Sequence, residues 1–119
     1  MNFIIASVMI SLLIFLPDRC GKEEISKGTP ECVLQKINEI SQEEVWNPPA
    51  KVYRYFYGGK KVYFIPQRCC DIPSQLFDED CNAICAPDGG FSGKGDGACP
   101  DFFTSRTGEQ LIWEDKREK

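Results

Sequence analysis

Seven cysteines in a chain of 119 residues constrain the fold more than any other feature of this sequence. Five of the seven lie within the stretch from Cys69 to Cys99. Thiols at this density hold a metal ion, carry out redox chemistry or form disulfide bonds in a domain whose core is small. Small exported domains use disulfides in this way because their apolar interior alone stabilises them little. The cysteine content therefore favours an exported, disulfide-bonded domain.

The spacing of the cysteines argues against a metal site and against dithiol redox chemistry. Four thiolates from Cys69, Cys70, Cys81 and Cys85 could hold zinc, but two adjacent cysteines are an awkward chelating pair. Thioredoxin-like chemistry needs a Cys-x-x-Cys motif at the start of a helix, and the chain has no such spacing. We therefore predict three structural disulfides among six cysteines. The six are Cys32, Cys69, Cys70, Cys81, Cys85 and Cys99.

Six cysteines can pair in many ways, and the sequence leaves most of the pairings open. Cys85 and Cys99 enclose a glycine-rich loop, so we expect them to bond to each other. We expect Cys32 to bond to one member of the Cys69-Cys70 pair. A bond between the two neighbours themselves would be strained, so we expect them to have different partners.

Residues 1–20 have the character of an export signal. The segment from Phe3 to Leu16 is uncharged and apolar, but it is too short to span a bilayer, which takes about 20 residues. Cys20 follows it, where a bacterial lipoprotein carries its lipid, although Arg19 departs from the small residue expected there. Lipidation of Cys20, a cleaved secretory signal and an uncleaved anchor all remain open. Each would place the domain in a bacterial cell envelope, in the outer membrane or periplasm, or outside the cell.

The remaining chain is predicted to be a polar tether, 21–28, and a single domain, 29–119. Thr29-Pro30 is typical of a helix start. Apolar residues then recur at helical spacing and predict an amphipathic helix of about 15 residues, which Asn47-Pro48-Pro49 ends. The recurring residues are Val33, Ile37 and Ile40.

Two hairpins follow the helix. Alternating β-prone residues over Ala50–Pro66 flank Gly58-Gly59, which predicts two strands joined by a tight turn. Residues 74–86 predict a second, shorter hairpin, and Gln110–Trp113 predict a last strand after a break at Gly108. The predicted fold is α+β: one N-terminal helix packs on an antiparallel sheet of about four or five strands, and disulfides fix the helix and a glycine-rich loop.

The glycine-rich segment 86–98 contains the candidate metal ligands. Calcium prefers several oxygen ligands on a flexible loop, and Asp88, Asp96 and Asp101 lie among or beside these glycines. A turn-rich loop held by a cysteine at each end is the simpler explanation. Phe91 is its single large apolar residue, and we expect this side chain to pack onto the core.

Composition excludes several functions. The chain has no histidine, so it cannot activate a nucleophile with histidine or build a mixed Cys/His zinc site. Its net charge is −4, and an acidic chain gains nothing by neutralising phosphates, so nucleic acid is not an expected partner. The acidic residues Asp78, Glu79 and Asp80 cluster at a turn rather than flanking a cleft. We expect no catalytic residues, no cofactor and no enzymatic activity.

Several stretches together resemble one family. They are the Tyr-rich hairpin with its glycine turn, Cys69-Cys70-Asp71, "LFDEDCNAICAPDGG" (76–90) and "GDGACPDF" (95–102). They resemble small cysteine-rich envelope proteins of bacteria, chiefly of the Bacteroidetes kind, that carry a domain of unknown function. The similarity covers Glu31 to about Trp113. Many members look like lipoproteins, so the resemblance implies a class and a location but no activity.

These observations predict a non-catalytic binding or structural module that is secreted or tethered to the envelope. Its partner would be a protein or an envelope component, and an N-terminal lipid or anchor would attach it to the membrane. The alternative is a secreted inhibitor of a protease or another hydrolase. In that case the loop 86–98 would be the presented element, because a rigid loop binds with little ordering cost.

Overall fold

A computed structural model describes residues 25–118 as two helices and a five-stranded sheet. The elements are α1 (Glu31–Gln42), β1 (Lys51–Tyr57), β2 (Lys60–Ile65), β3 (Gln75–Phe77), β4 (Ala83–Cys85), α2 (Phe102–Ser105) and β5 (Thr107–Glu114). Every strand pair is antiparallel, and the strand order is β4-β3-β2-β1-β5. The predicted α+β class, the N-terminal helix and the number of strands are confirmed, whereas the short helix α2 was not predicted.

The predicted export signal, Cys20 and most of the tether lie outside the described residues. Within 25–118, neither helix has the length and apolar character needed to cross a membrane.

The helix α1 forms where the apolar spacing predicted it. Val33, Ile37 and Ile40 are all buried. The Thr29 hydroxyl donates to the Ser26 carbonyl oxygen at 2.6 Å instead of capping the helix, so α1 begins at Glu31. The helix has 12 residues rather than about 15.

A residue far along the chain binds the C-terminal end of α1. The Arg117 guanidinium donates to the carbonyl oxygens of Ser41 and Glu43, at 2.8 and 2.9 Å. It also donates to Ile40 at 3.3 Å. The Ile40 oxygen also accepts the Glu43 N–H at 3.1 Å. The last carbonyls of a helix lack donors from a following turn, and a cation there also interacts favourably with the helix dipole.

The two hairpins follow the predicted turns. Tyr57 pairs with Lys60 across Gly58-Gly59, whose φ values are 59° and 75°. Two positive φ angles are what a two-residue turn between twisted strands requires. In the second hairpin, the Asp78 carboxylate accepts hydrogen bonds from the backbone N–H groups of Asp80 and Asn82, each at 2.9 Å. These bonds lower the pKa of Asp78 and fix the turn between β3 and β4.

The two faces of the sheet are covered by different cores, because side chains along a strand alternate between faces. The helix-side core packs α1 on the sheet. It contains Val33, Ile37, Ile40, Ala50, Val52, Tyr63, Ile65, Phe77, Ile112 and Trp113. The loop-side core lies on the opposite face and includes α2. It contains Tyr55, Val62, Phe64, Leu76, Cys85, Cys99 and Phe102.

The last strand is longer than predicted and contains Gly108 rather than following it. Gly108 has a φ of 64°, and the pairing of β1 with β5 shifts register opposite it, between Arg54 and Phe56. A Cβ at this position would lie 2.5 Å from Cδ2 of Phe56. Glycine therefore marks a bulge and a close ring contact, not the end of the strand.

The disulfide framework differs from the prediction. Cys85 bonds to Cys99 as expected, but Cys32 bonds to Cys81, and Cys69 and Cys70 are free and exposed. The described residues therefore contain two disulfides, and the prediction that all six cysteines are bonded is wrong.

The direction of α1 explains this difference. Cys32 lies in the first turn of α1 beside the β3–β4 turn, which carries Cys81. The Cys69 N–H donates at 2.7 Å to the carbonyl oxygen of Asn47, which follows the other end of the helix. Ten helical residues span about 15 Å. That exceeds the Cα separation a disulfide allows, so Cys32 cannot reach the Cys69-Cys70 pair.

Candidate functional site

The segment 86–98, called the glycine loop below, is closed at its base by a disulfide. Cys85 and Cys99 have Cα atoms 6.2 Å apart, and both side chains belong to the loop-side core. The bond therefore fixes both ends of the loop to the sheet. A loop whose ends are held together loses less conformational freedom when it binds a partner.

Asp96 ties the two arms of the glycine loop together. Its carboxylate accepts hydrogen bonds from the backbone N–H of Ala98 at 2.9 Å and of Ala86 at 3.1 Å. Its own N–H donates to the Ala86 carbonyl oxygen at 3.0 Å. The N–H groups of Ala98 and Ala86 lower the pKa of Asp96, because they stabilise the charged form.

Two glycines permit backbone contacts that another residue would block. A Cβ on Gly95 would overlap the carbonyl oxygen of Ala86, and a Cβ on Gly89 would lie 2.6 Å from Oε1 of Gln67. Both residues have positive φ, and the Gly95 N–H donates to the Gly89 carbonyl oxygen at 3.0 Å. The glycines therefore allow a tightly folded loop here rather than a flexible one.

Ser74 anchors the loop to the start of β3. This buried residue donates from its N–H and its hydroxyl to the Asp88 carbonyl oxygen, each at 3.0 Å. The hydroxyl oxygen also accepts a hydrogen bond from the Asp88 N–H at 3.0 Å. Three hydrogen bonds between two residues fix the loop at a point outside its disulfide.

The three aspartates predicted as calcium ligands are not gathered into one group. Asp96 binds backbone N–H groups, and Asp101 lies before α2, where its Oδ1 accepts a hydrogen bond from the Tyr57 hydroxyl at 2.6 Å. Asp88 Oδ1 is buried and has no hydrogen-bond partner in the described part of the chain. Across residues 25–118, no cluster of three or more His, Cys, Asp or Glu side chains could hold a metal ion. The Asp96 carboxylate instead organises the loop backbone, and the Asp101 carboxylate binds the Tyr57 side chain.

Phe91 is 98% exposed, and the prediction that it packs onto the core is wrong. The Gly93 N–H donates to the Gly90 carbonyl oxygen at 3.2 Å, so Phe91 and Ser92 occupy the middle of a tight turn. Phe102, outside the loop, is the ring that is fully buried. The loop therefore presents an aromatic ring to solvent from an ordered backbone.

An aromatic cluster that the sequence did not reveal lies in the loop-side core around α2. The Phe102 ring lies 5.2–5.5 Å from the rings of Phe64, Phe103, Tyr57 and Tyr55. The Arg106 guanidinium stacks over the cluster, 4.6 Å from the centroid of Tyr55. The four-residue helix α2 gives no helical spacing to recognise, so only the doublet Phe102-Phe103 hinted at it.

A second candidate region lies beside the C-terminal end of α1. The adjacent thiols of Cys69 and Cys70 border a surface cavity of about 410 Å³. Trp46 and Arg68 form one wall, with the guanidinium 3.7 Å from the indole centroid. Glu43 holds both, because its Oε2 accepts a 2.7 Å hydrogen bond from Trp46 Nε1 and lies 3.6 Å from Arg68 Nη1.

Comparison with known proteins identifies the domain without assigning an activity. No curated protein and no solved structure matches the chain significantly. A family described as "Domain of unknown function (DUF6970)" matches residues 38–115. The match begins within α1 and includes both hairpins, the glycine loop and the Cys69-Cys70 pair. It covers more than half of the chain and confirms the predicted membership of a family of unknown function. The chain belongs to the DUF6970 family.

Proposed function

We propose that this domain is a non-catalytic binding module outside the cytoplasm, and that its glycine loop presents Phe91 to an apolar pocket on a partner protein. The observation that carries the proposal is the 98% exposure of Phe91 on a loop fixed by the Cys85–Cys99 bond, Asp96 and Ser74. At this loop the domain acts by presenting the ring, without a chemical step.

Binding energetics support this role for Phe91. Burying an aromatic side chain contributes strongly to binding, and such residues serve as central anchors of interfaces. Exposing a phenylalanine to water is unfavourable, so a partner that covers it recovers this free energy. Because the loop is already ordered, little additional entropy is lost on binding. The neighbouring residues Ser92 and Lys94 are exposed and would form the polar rim typical of an interface.

The proposed location rests on the disulfides and on the N-terminal sequence. Disulfides persist mainly in oxidising compartments, and this domain has two. The apolar run before Cys20 fits an export signal. We place the domain in the envelope of a Bacteroidetes-type bacterium or in its surroundings, tethered through a lipid on Cys20 or through an anchor, or secreted.

Site-specific photo-crosslinking tests the proposal. A photoreactive phenylalanine analogue at position 91 of the full chain, expressed in the producing organism, should give one prominent protein adduct. The matched control carries the analogue at Leu111, which is 44% exposed on β5. Adducts at position 91 that are absent at position 111 support the proposal. Identical adducts from both positions, or none from either, contradict it.

Inhibition of a hydrolase is the alternative function for the same loop. An inhibitor that mimics an extended substrate would present an extended segment, whereas Phe91 lies in a tight turn closed by Gly90 and Gly93. A panel of proteases and glycoside hydrolases separates the two roles. Inhibition at micromolar protein that is lost in Phe91→Ala would favour the inhibitor, and no inhibition leaves the binding module preferred.

A further inference from the structure

Residues 25–118 combine two protected disulfides with two unprotected thiols. Cys85–Cys99 lies in the loop-side core, and Cys32–Cys81 packs against the helix-side core. Cys69 and Cys70 are instead exposed and free at the surface. A compartment that maintains the first two bonds also exposes the second two thiols to disulfides and oxidants. In the proposed location outside the cytoplasm, the pair is therefore available for thiol–disulfide exchange.

The local backbone shows why the pair does not form a stable structural bond. Consecutive Cα atoms are about 3.8 Å apart, which is shorter than the about 4.4–6.8 Å usual for a disulfide. The two residues form a tight turn between Arg68 and Ile72, in which Cys70 and Asp71 have φ values of 74° and 64°. A bond between them would be strained, and strained, exposed disulfides are readily reduced.

We propose that Cys69 and Cys70 form a thiol–disulfide exchange site whose substrate is an accessible disulfide carrying positive charge. The Cys69 thiolate attacks one sulfur of the external disulfide, forms a mixed disulfide and releases the first thiol. Cys70 then loses its proton and attacks the Cys69 sulfur, which releases the second thiol and closes the Cys69–Cys70 bond. Two protein thiols are oxidised, and one external disulfide is reduced to two thiols.

The order of the two steps is assigned from the environment of Cys70. The side chain of Cys69 is the main reason why the pKa of Cys70 is raised, and the nearby charge of Asp71 adds to the effect. Cys70 is therefore the poorer nucleophile of two equally exposed thiols in one turn, and the proposal gives the first attack to Cys69. The first residue is the attacking thiol, and the second resolves the mixed disulfide.

The adjacent cavity gives the substrate its charge preference. Glu43 is paired with Arg68 and Trp46, but Glu44 also lines the cavity and Asp71 follows the pair directly. The charge left beside the thiols is therefore negative. A cationic disulfide should approach this site faster than an anionic one, and salt should weaken the difference.

The first test uses the native full chain with cystamine, a small cationic disulfide, followed by alkylation and peptide mapping. Mapping separates the pair from Cys20, which lies outside the described residues. The wild type should lose two hydrogens in the peptide that carries the pair and retain no adduct. Cys70→Ser should keep one cysteamine adduct on Cys69, and Cys69→Ser should react at least about tenfold more slowly. Two persistent adducts, two alkylatable thiols or a fast Cys69→Ser variant would overturn the proposal.

Two further measurements test the labile bond and the charge preference. Reduced glutathione should reopen the Cys69–Cys70 bond while leaving Cys32–Cys81 and Cys85–Cys99 intact. If the Cys69–Cys70 bond resisted reduction as well as the two structural disulfides do, the inferred strain would be contradicted. At low salt, cystamine should react several-fold faster than glutathione disulfide, and Glu44→Gln should reduce this ratio. Equal rates for the two disulfides would overturn the charge preference.

This inference is independent of the proposed binding role. Phe91→Ala should leave the exchange rate unchanged, and Cys70→Ser should leave the crosslinking at position 91 unchanged. Failure of either proposal would therefore be recognised separately.

Discussion

The two faces of the sheet are covered by different kinds of structure. On the helix side, α1 buries Val33, Ile37 and Ile40 against the strands at regular helical intervals. On the loop side, the four-residue helix α2 and the Cys85–Cys99 bond at the base of the glycine loop pack on the sheet, and Phe102 is the central side chain. The first face is stabilised mainly by regular burial, and the second by aromatic packing, a disulfide and backbone hydrogen bonds.

This difference shows how a small domain separates stability from recognition. Regular packing uses its apolar side chains to fill the core, so few of them remain for a partner. An irregular covering whose shape depends on backbone hydrogen bonds can leave an aromatic residue outside. Phe91 is such a residue, and it projects from the loop side.

Phe102→Ala should give the largest effect. Removing a fully buried ring should lower the free energy of unfolding by about 3–5 kcal/mol and loosen the glycine loop, because the aromatic cluster beside it loses its centre. Hydrogen exchange should accelerate in the loop before it accelerates in α1. Val33→Ala on the other face is the control and should leave the loop protected. Equal loosening of both faces in both variants would show that the faces are not separate.

Removing each disulfide should distinguish a global from a local effect. The Cys32–Cys81 bond spans 49 residues and the Cys85–Cys99 bond spans 14. Loop-closure entropy predicts losses of about 4 and about 3 kcal/mol for the paired Cys→Ser variants. Denaturant titration measures the loss of unfolding free energy in each variant. Hydrogen exchange should show local loosening of the glycine loop only in the variant that lacks Cys85–Cys99. The same exchange pattern in both variants would contradict a local role for Cys85–Cys99.

Arg117→Ala should destabilise the helix side alone. The Asp115 carboxylate is buried, with its Oδ2 2.8 Å from Arg117 Nη2. It would lose the guanidinium and keep only the hydrogen bond from the backbone N–H of residue 117, at 3.1 Å. We expect a loss of about 2–3 kcal/mol, less than for a fully buried pair because the arginine is partly exposed. The melting temperature should be lowest for Arg117→Ala, intermediate for Arg117→Lys and highest for the control Glu118→Ala. An Arg117→Ala variant as stable as Glu118→Ala would contradict the inferred role.

Asp96 should give the loop side a pH dependence at low pH. Because its folded pKa is lowered, its carboxylate stabilises the fold above the unfolded value of about 3.9 and stops doing so as the pH falls through the folded value. Asp96→Asn should therefore melt below the wild type at pH 7, and the difference should shrink below about pH 4. Asp80→Asn, at the exposed β3–β4 turn, is the control. A difference that grows on acidification would contradict the assignment.

Phe91→Ala should have the smallest effect on stability. An exposed side chain with no core contact should change the free energy of unfolding by no more than about 0.5 kcal/mol. Denaturant titration measures this, with Leu111→Ala as a matched exposed control. A loss comparable to that of Phe102→Ala would mean that Phe91 packs against the domain in solution.

Local sequence patterns predicted the regular elements. The spacing of Val33, Ile37 and Ile40 gave α1, and Gly58-Gly59 between alternating residues gave the first hairpin. Both patterns depend on residues that are close in sequence, so they can be recognised without knowledge of the tertiary structure. The Cys85–Cys99 bond was predicted for the same reason, because it closes a short loop.

Features that depend on distant segments were missed. Cys32 bonds to Cys81 because of the direction in which α1 crosses the sheet, which no local pattern specifies. Arg117 binds the end of a helix more than 70 residues away. Phe91 is exposed whereas Phe102, outside the loop, is fully buried, and no local pattern distinguishes these two rings. The candidate loop could therefore be located from the sequence, but not its presented residue.

The order of the glycine loop is the most direct test of the binding proposal. Backbone ¹⁵N relaxation of the full chain reports order parameters at Gly89, Gly93 and Gly95, which lie in the hydrogen-bonded part of the loop. A preorganised loop should give values of about 0.85, equal to those of β1 and β2. Values below about 0.6 would show that the loop is flexible and would contradict the presentation of Phe91 by a rigid loop.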